Sequence, residues 1–262
     1  MTKAKPRLQH VFMEEMTSAE VADVIATGNA TVLVVSASTE ASGPHLVLGK
    51  HIFRMRHLAD RIARELGNTL VAPVVPFAPV TDEARFAGTV HLSPDTFSRI
   101  NEDVVQSMAN AGFRHIVLMG DHDGNQQPLK SLAKEMNRAL RNRNVRVFYS
   151  SDAYYKSNRQ IDDYLKKHGF PPSRHGGIAD TSTTMAVGRN YVRMRKIVRG
   201  EVVPAEGRPL SLGSAGVEGD PRPSSAKLGK LFLDWKVRNA VAEIRRLIGS
   251  ADLPSKPRKD PA

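Results

Sequence analysis

An α/β domain built on a central, mainly parallel sheet flanked by helices is what the sequence predicts, on three observations. Short β-branched apolar runs alternate along the chain with segments whose apolar residues recur at helical spacing. Polar, ligand-capable clusters follow directly on those runs, or lie on a loop entering a helix, where an open parallel sheet presents the carboxyl ends of its strands. The 262 residues, 40% hydrophobic and 25% charged, suffice for one large buried core and resemble a globular chain rather than a disordered one.

The elements follow in order. Thr17 and Glu20 form a T-x-x-E capping box that opens a short helix ending near Gly28. Thr31–Ser36, Thr-Val-Leu-Val-Val-Ser, is short and apolar enough for a buried strand. Met55, Leu58, Ile62 and Leu66 share one face of a helix over 52–66, and Gly67 stops it. A second strand is expected over 70–76. Ser93-Pro94 supplies a helix N-cap and first turn; Phe97, Ile100, Val104 and Met108 form that helix's apolar stripe, and Gly112 closes it. A third strand over 115–119 leads through a polar turn into a helix over 128–141, whose inward face is Leu129, Leu132, Met136 and Leu140. A fourth strand is expected over 145–149, irregular structure with a short helix over 152–174, and a helix starting near Thr181. Glycine and proline make 200–223 mostly loop, and Leu228, Phe232, Trp235, Val237, Val241, Ile244 and Ile248 mark a C-terminal helix. One domain over 15–249 is expected, with an N-terminal extension at 1–14 and a disordered basic tail at 250–262.

No apolar run approaches the length that spans a bilayer, and the polar, basic residues 1–10 lack the apolar core of a secretory signal. The cytoplasm is the expected compartment, or the periplasm if a leader has been removed. Cysteine is absent, which rules out disulfides, thiolate nucleophiles and Cys-ligated zinc, so any metal must be held by His, Asp and Glu. The formal charge of +11 raises nucleic acid as a partner. The basic residues are spread along the chain without interleaved aromatics, however, which favours solvated helix faces; an acidic substrate fits the charge equally well.

Three clusters could carry chemistry. The first runs from Ala37 to His51, with Glu40 just beyond a buried strand, a Gly43-Pro44 turn, and two histidines, His45 and His51. A carboxylate with imidazoles at a strand end suits a divalent cation; equally, Glu40 could cap a turn and His51 the next helix. The second, Gly120-Asp-His-Asp-Gly-Asn-Gln126, puts Asp121, His122 and Asp123 together at a sheet end, where uncompensated charge is costly and a metal would balance it. A solvated turn with Asn125 near a helix N-cap is the competing reading. The third, from His175 to Ser182, has glycines that allow close backbone approach, with His175 as a proton carrier and Asp180 facing the same crevice; loop structure and helix capping are the alternative roles.

Together, in this order, the stretches 38–51, 120–125 and 175–182 resemble the three hallmark motifs of the creatininase (creatinine amidohydrolase) family, and the likeness extends through Gly216-Val-Glu-Gly-Asp-Pro221 to the C-terminal helix. The resemblance implies a creatininase-like α/β fold, a homo-oligomer (commonly a hexamer), a pair of divalent ions, often zinc or manganese, and hydrolysis of small cyclic or linear amides. It also implies that Glu40 stands at the first carboxylate ligand, His122 at the ligand histidine, and His175 at the histidine acting as acid and base. Three departures stand out: Ser42 where the family has a histidine, His51 where it has the aspartate bridging two metals, and Ile178 where many relatives have a second carboxylate. An imidazole binds one metal through one nitrogen and cannot bridge two. One ion, Zn or Mn, held by Glu40, His51 and His122 is therefore expected, with Asp180 or Asp123 taking the proton of an activated water and His175 protonating the departing nitrogen. The rival expectations are a catalytically degenerate ligand-binding relative and, last, a nucleic-acid-binding protein. Residues 78–92 and 152–174 are expected to line or cover the pocket, with Arg85, Phe86, Tyr154 and Tyr155 as possible substrate contacts.

Overall fold

A computed structural model describes residues 9–28, 30–201 and 212–251, with only the backbone at 250 and 251. The expected tail beyond 251, the first eight residues of the expected N-terminal extension and much of the expected loop at 200–223 lie outside the described residues. Four strands, β1 (Thr31–Ser36), β2 (Thr69–Val71), β3 (His115–Gly120) and β4 (Arg146–Tyr149), form one sheet in the order β2-β1-β3-β4 with every pairing parallel. Parallel neighbours require crossovers, and helices supply them. The helices are α1 (Ser18–Ala26), α2 (Lys50–Leu66), α3 (Pro94–Ala111), α4 (Asp123–Ala139), α5 (Tyr155–Lys167), α6 (Ile178–Val187) and α7 (Ala226–Ala251).

All six residues of β1 and of β3 are buried, as expected of strands covered on both faces. Val32, Val34, Ile116 and Leu118 point into one core with α3 and α4, through Phe97, Val105, Leu129 and Met136. Leu33, Val35, Val117 and Met119 point the opposite way, against Met55, Leu58 and Ile62 of α2 and Val237, Val241 and Ile244 of α7. The period-two alternation of β side chains thus divides one apolar run between two cores. Val11 and Phe12 belong to the second core, where Val71 donates its N–H to the Val11 carbonyl.

Local signals act where the sequence places them. Thr17 and Glu20 complete the reciprocal capping box of α1. Ser93 accepts the Thr96 N–H at the start of α3, and Gly112 closes that helix in the left-handed region at φ 106°. Four boundaries differ from expectation. β2 is three residues rather than seven, because Pro73 and Pro76 bring no N–H to a ladder; Val75 rejoins β1 only by an isolated bridge to Ser36. α4 begins at Asp123, five residues before Pro128, because the His122 side chain caps it by accepting the Gly124 N–H. α5 runs for 13 residues in a stretch expected to be largely irregular, anchored by buried Ile161 and Leu165. α6 starts at Ile178 rather than near Thr181, so Asp180 lies in its first turn instead of capping it.

Candidate active site

The carboxyl ends of β1 and β3 lie side by side, Ser36 paired with Gly120, and the segments leaving them converge. Glu40 is on the loop after β1 and His122 is the cap residue after β3. The first turns of α2 contribute Lys50, His51 and Arg54, while α6 contributes Asp180 and Thr183. Glu83 comes from a short 3-10 turn, Asp82–Arg85, in the loop before α3. That loop is pressed onto the start of α4: a Cβ on Gly124 would lie 2.1 Å from the Pro79 carbonyl oxygen.

Glu40 is the hub and is fully buried. Its Oε2 accepts from Ser38 Oγ at 2.8 Å and lies 3.0 Å from His122 Nε2, while Oε1 lies 3.2 Å from Lys50 Nζ and 2.9 Å from His51 Nε2. Burial by itself would raise this carboxyl, but Lys50, His51 and His122 hold it well below the ordinary carboxylate range. Burial likewise pulls His122 down, and the neighbouring Glu40 carboxylate outweighs it, so His122 is raised from its usual value.

Lys50 is among the largest of the fully buried side chains, and its Nζ lies 3.2 Å from Glu40 Oε1, 2.6 Å from His51 Nε2 and 3.4 Å from Asp180 Oδ2. One turn later, Arg54 donates through Nε to Asp121, and through Nη1 to Asp180 Oδ1 at 2.8 Å and Thr183 Oγ1 at 3.0 Å. Lys236 of α7 reaches Asp121 Oδ1 at 3.5 Å from the other side. Asp121 and Asp180, which burial would raise, are both held far below the usual range by these cations.

His51 lies between cations as well as carboxylates. Nε2 faces Lys50 and Glu40, and Nδ1 lies 2.8 Å from Arg54 Nη2 and 3.1 Å from Asp121 Oδ2. Both ring nitrogens are thus engaged by charged partners of the chain itself. Among the described residues, the set whose ligating atoms all lie within 4.8 Å of one another is Glu40, Glu83 and His122. Two carboxylates and one imidazole suit a single zinc or manganese ion. The carboxylates of Asp121 and Asp180, outside that set, face Arg54, Lys50 and Lys236 instead.

His175 stands at the rim. Its Nε2 lies 2.9 Å from the Ala41 carbonyl oxygen, to which it donates, and this turns Nδ1 toward Glu83 Oε1 at 3.6 Å and Glu40 Oε1 at 3.9 Å. Burial, and then the Lys50 charge, lower its pKa from the usual value. The residues singled out in the sequence thus separate into three groups. Glu40, His51, His122 and His175 converge; Asp180 joins them through Lys50 and Arg54; Asp123 sits apart, with Tyr154 Oη 3.4 Å from its Oδ1. Lys50, Arg54, Lys236 and Glu83 escape the sequence reading. The Lys50–Arg54 spacing of four, on a helix beginning at the first motif, is a signal that could have found two of them. Phe86, from the expected covering loop, helps line an apolar cavity of about 390 Å³ with Ala41, Pro44, Leu48 and Ala215, and Arg85 Nη2 donates to the Gly213 carbonyl.

The chain matches a protein-family model described as creatinine amidohydrolase over residues 14–244. It is similar to a creatinine amidohydrolase from Pseudomonas putida, 22% identical over 253 residues that cover 90% of this chain and 96% of that one. Two solved structures are also similar: "Creatininase Mn", with a TM-score of 0.79 and 21% identity over 91% of this chain and 99% of that one, and a mutant creatininase of "Zn-Zn type", with 0.79 and 22% over 92% and 99%. At such identity the structural likeness speaks to the fold.

Proposed function

This chain belongs to the creatininase family, and from that premise we propose that it hydrolyses the C–N bond of a small amide with one divalent ion held by Glu40, Glu83 and His122. The observation that carries the proposal is the convergence of these three groups on one point, with the free side of the His175 ring facing the same point. When bound there, the ion supplies Lewis acidity, polarising a carbonyl and easing deprotonation of water. The remaining work falls to the protein. The Ala41 carbonyl fixes the His175 tautomer, so Nδ1 is the atom that takes up and returns a proton. Glu83, at the solvent edge of the site, is placed to share that proton. Asp180, tied to Lys50 and Arg54, holds α6 to α2, and Asp121, tied to Arg54 and Lys236, holds α2 and α7 to the end of β3, rather than exchanging protons, and the apolar cavity beside Ala41 offers room for the non-reacting part of a substrate.

The test is metal analysis paired with turnover. Protein loaded with zinc or manganese is expected to release product from some member of an amide and lactam panel, to lose that activity on chelation, and to lose it at least ~100-fold in His175→Ala. A metal-loaded protein that turns over nothing removes the proposal. It would favour the second reading, a relative that binds a small ligand without hydrolysing it, for which the cationic Lys50 and Arg54 inside the site are the supporting observation. That reading expects a ligand-dependent rise in melting temperature with no product.

A further inference from the structure

We propose that the Lys50 ammonium is a resident cation that fills one metal position of the site permanently, making this a site for at most one ion. Three carboxylates of the buried cluster, Glu40, Asp121 and Asp180, are matched by three fixed cations, Lys50, Arg54 and Lys236, each within ion-pair distance of a member of the set. Buried charge is tolerated where it is paired and hydrogen-bonded, and here that condition is met by the chain alone. A divalent ion bound by Glu40, Glu83 and His122 adds two charges, of which Glu83, outside this closed set, offsets one. A second ion would add charge to a region whose carboxylates, among the described residues, already face cations.

Geometry makes the same point. Glu40 Oε1, His51 Nε2 and Asp180 Oδ2 come from three separate elements and are arranged around one atom, Lys50 Nζ, at 3.2, 2.6 and 3.4 Å. Two carboxylate oxygens and an imidazole nitrogen are a divalent-metal donor set; in this chain they enclose an ammonium. Lys50 is therefore a positioning residue that sets ion capacity and holds the cluster together without metal. The proposal shares the single-ion site with the functional reading above, yet its test needs no substrate.

The experiment titrates metal-free protein with Zn2+ and with Mn2+, reading bound equivalents and melting temperature, for the wild type and for Lys50→Ala. Wild-type protein is expected to take up no more than one equivalent and to remain folded after chelation. Lys50→Ala, which leaves the three donors facing an open space, is expected to melt roughly 10 °C lower without metal, to bind one more equivalent than wild type, and to regain most of that loss on metal addition. A merely structural lysine would give the destabilisation without the extra equivalent or the metal rescue. Two equivalents bound by the wild type, or a folded Lys50→Ala with unchanged stoichiometry, would overturn the proposal. Should the variant not fold even with metal, the wild-type stoichiometry and its insensitivity to chelation still decide the matter. Glu83→Gln separates this inference from the functional one: it should lose the single wild-type equivalent while the melting temperature stays unchanged.

Discussion

Glu40 and Glu83 are both candidate ligands, yet they bear different loads. Glu40 is fully buried and faces Lys50, His51 and His122, whereas Glu83 lies at the solvent edge. Removing one partner of a buried charge pair costs about 3–5 kcal/mol, while an edge pair is worth about 0–1 kcal/mol. Glu40→Gln should therefore lower unfolding stability by roughly 3 kcal/mol or more and Glu83→Gln by less than about 1 kcal/mol, as read from urea midpoints. Equal costs would mean that Lys50 does not depend on Glu40. His45 makes a separate statement about pH. It is fully buried, with Nε2 2.9 Å from Thr181 Oγ1, and burial, acting against the pull of Asp180, lowers its pKa to about 4. The unfolded imidazole binds its proton near pH 6.5, the folded one not until about pH 4. Between those values the unfolded chain holds more protons, so stability is full above about pH 6.5 and declines as pH falls toward 4. That loss should reach about 3 kcal/mol. In His45→Gln it should be absent from the difference in stability between about pH 7 and about pH 4.5, with chemical denaturation as the readout.

At the scale of elements, the site depends on how closely α6 and α7 approach and on how the loop before α3 is held. A Cβ on Gly229 of α7 would lie 1.8 Å from the Ser182 carbonyl oxygen of α6, so Gly229→Ala must push the two helices apart. Overpacking of this kind costs about 1–3 kcal/mol. It should also move Asp180 relative to Lys50 and Arg54, which thermal melting and tryptophan fluorescence from Trp235 on α7 can report. Gly124 plays the same part for the Pro79 loop, and Gly124→Ala should weaken uptake of the metal ion by displacing Glu83 while α4 stays helical by circular dichroism. The boundaries of these elements are legible in the sequence only where the signal is local. The Thr17 capping box, the Ser93-Pro94 start and the Gly112 stop act within a turn, and each stands where the sequence places it. The early start of α4 depends on a histidine acting as cap, which residue preferences do not favour. The length of α5 depends on Ile161 and Leu165 finding Ile178 and Phe232, contacts that sequence spacing does not reveal.

For the whole molecule, the parallel sheet and its two cores follow from the sequence, because a buried strand must be apolar on both faces and its crossover helices must be amphipathic. The convergence of Glu40, His122 and His175 at one sheet edge is also legible, since strand-end loops in such sheets share a crevice and the motifs follow the strands. No helix among the described residues is long and apolar enough to cross a membrane. What the sequence does not convey is the state of its charges. Lysine and arginine are ordinarily solvated, and beyond the one-turn spacing of Lys50 and Arg54 nothing local marks these two or Lys236 as buried. Their partners lie as far as 130 positions away in the chain. Pattern and periodicity determined the sheet, the helices and the place of the site; only tertiary folding decided which acids face cations, because electrostatic pairing depends on distance in space and the chain records only distance along itself.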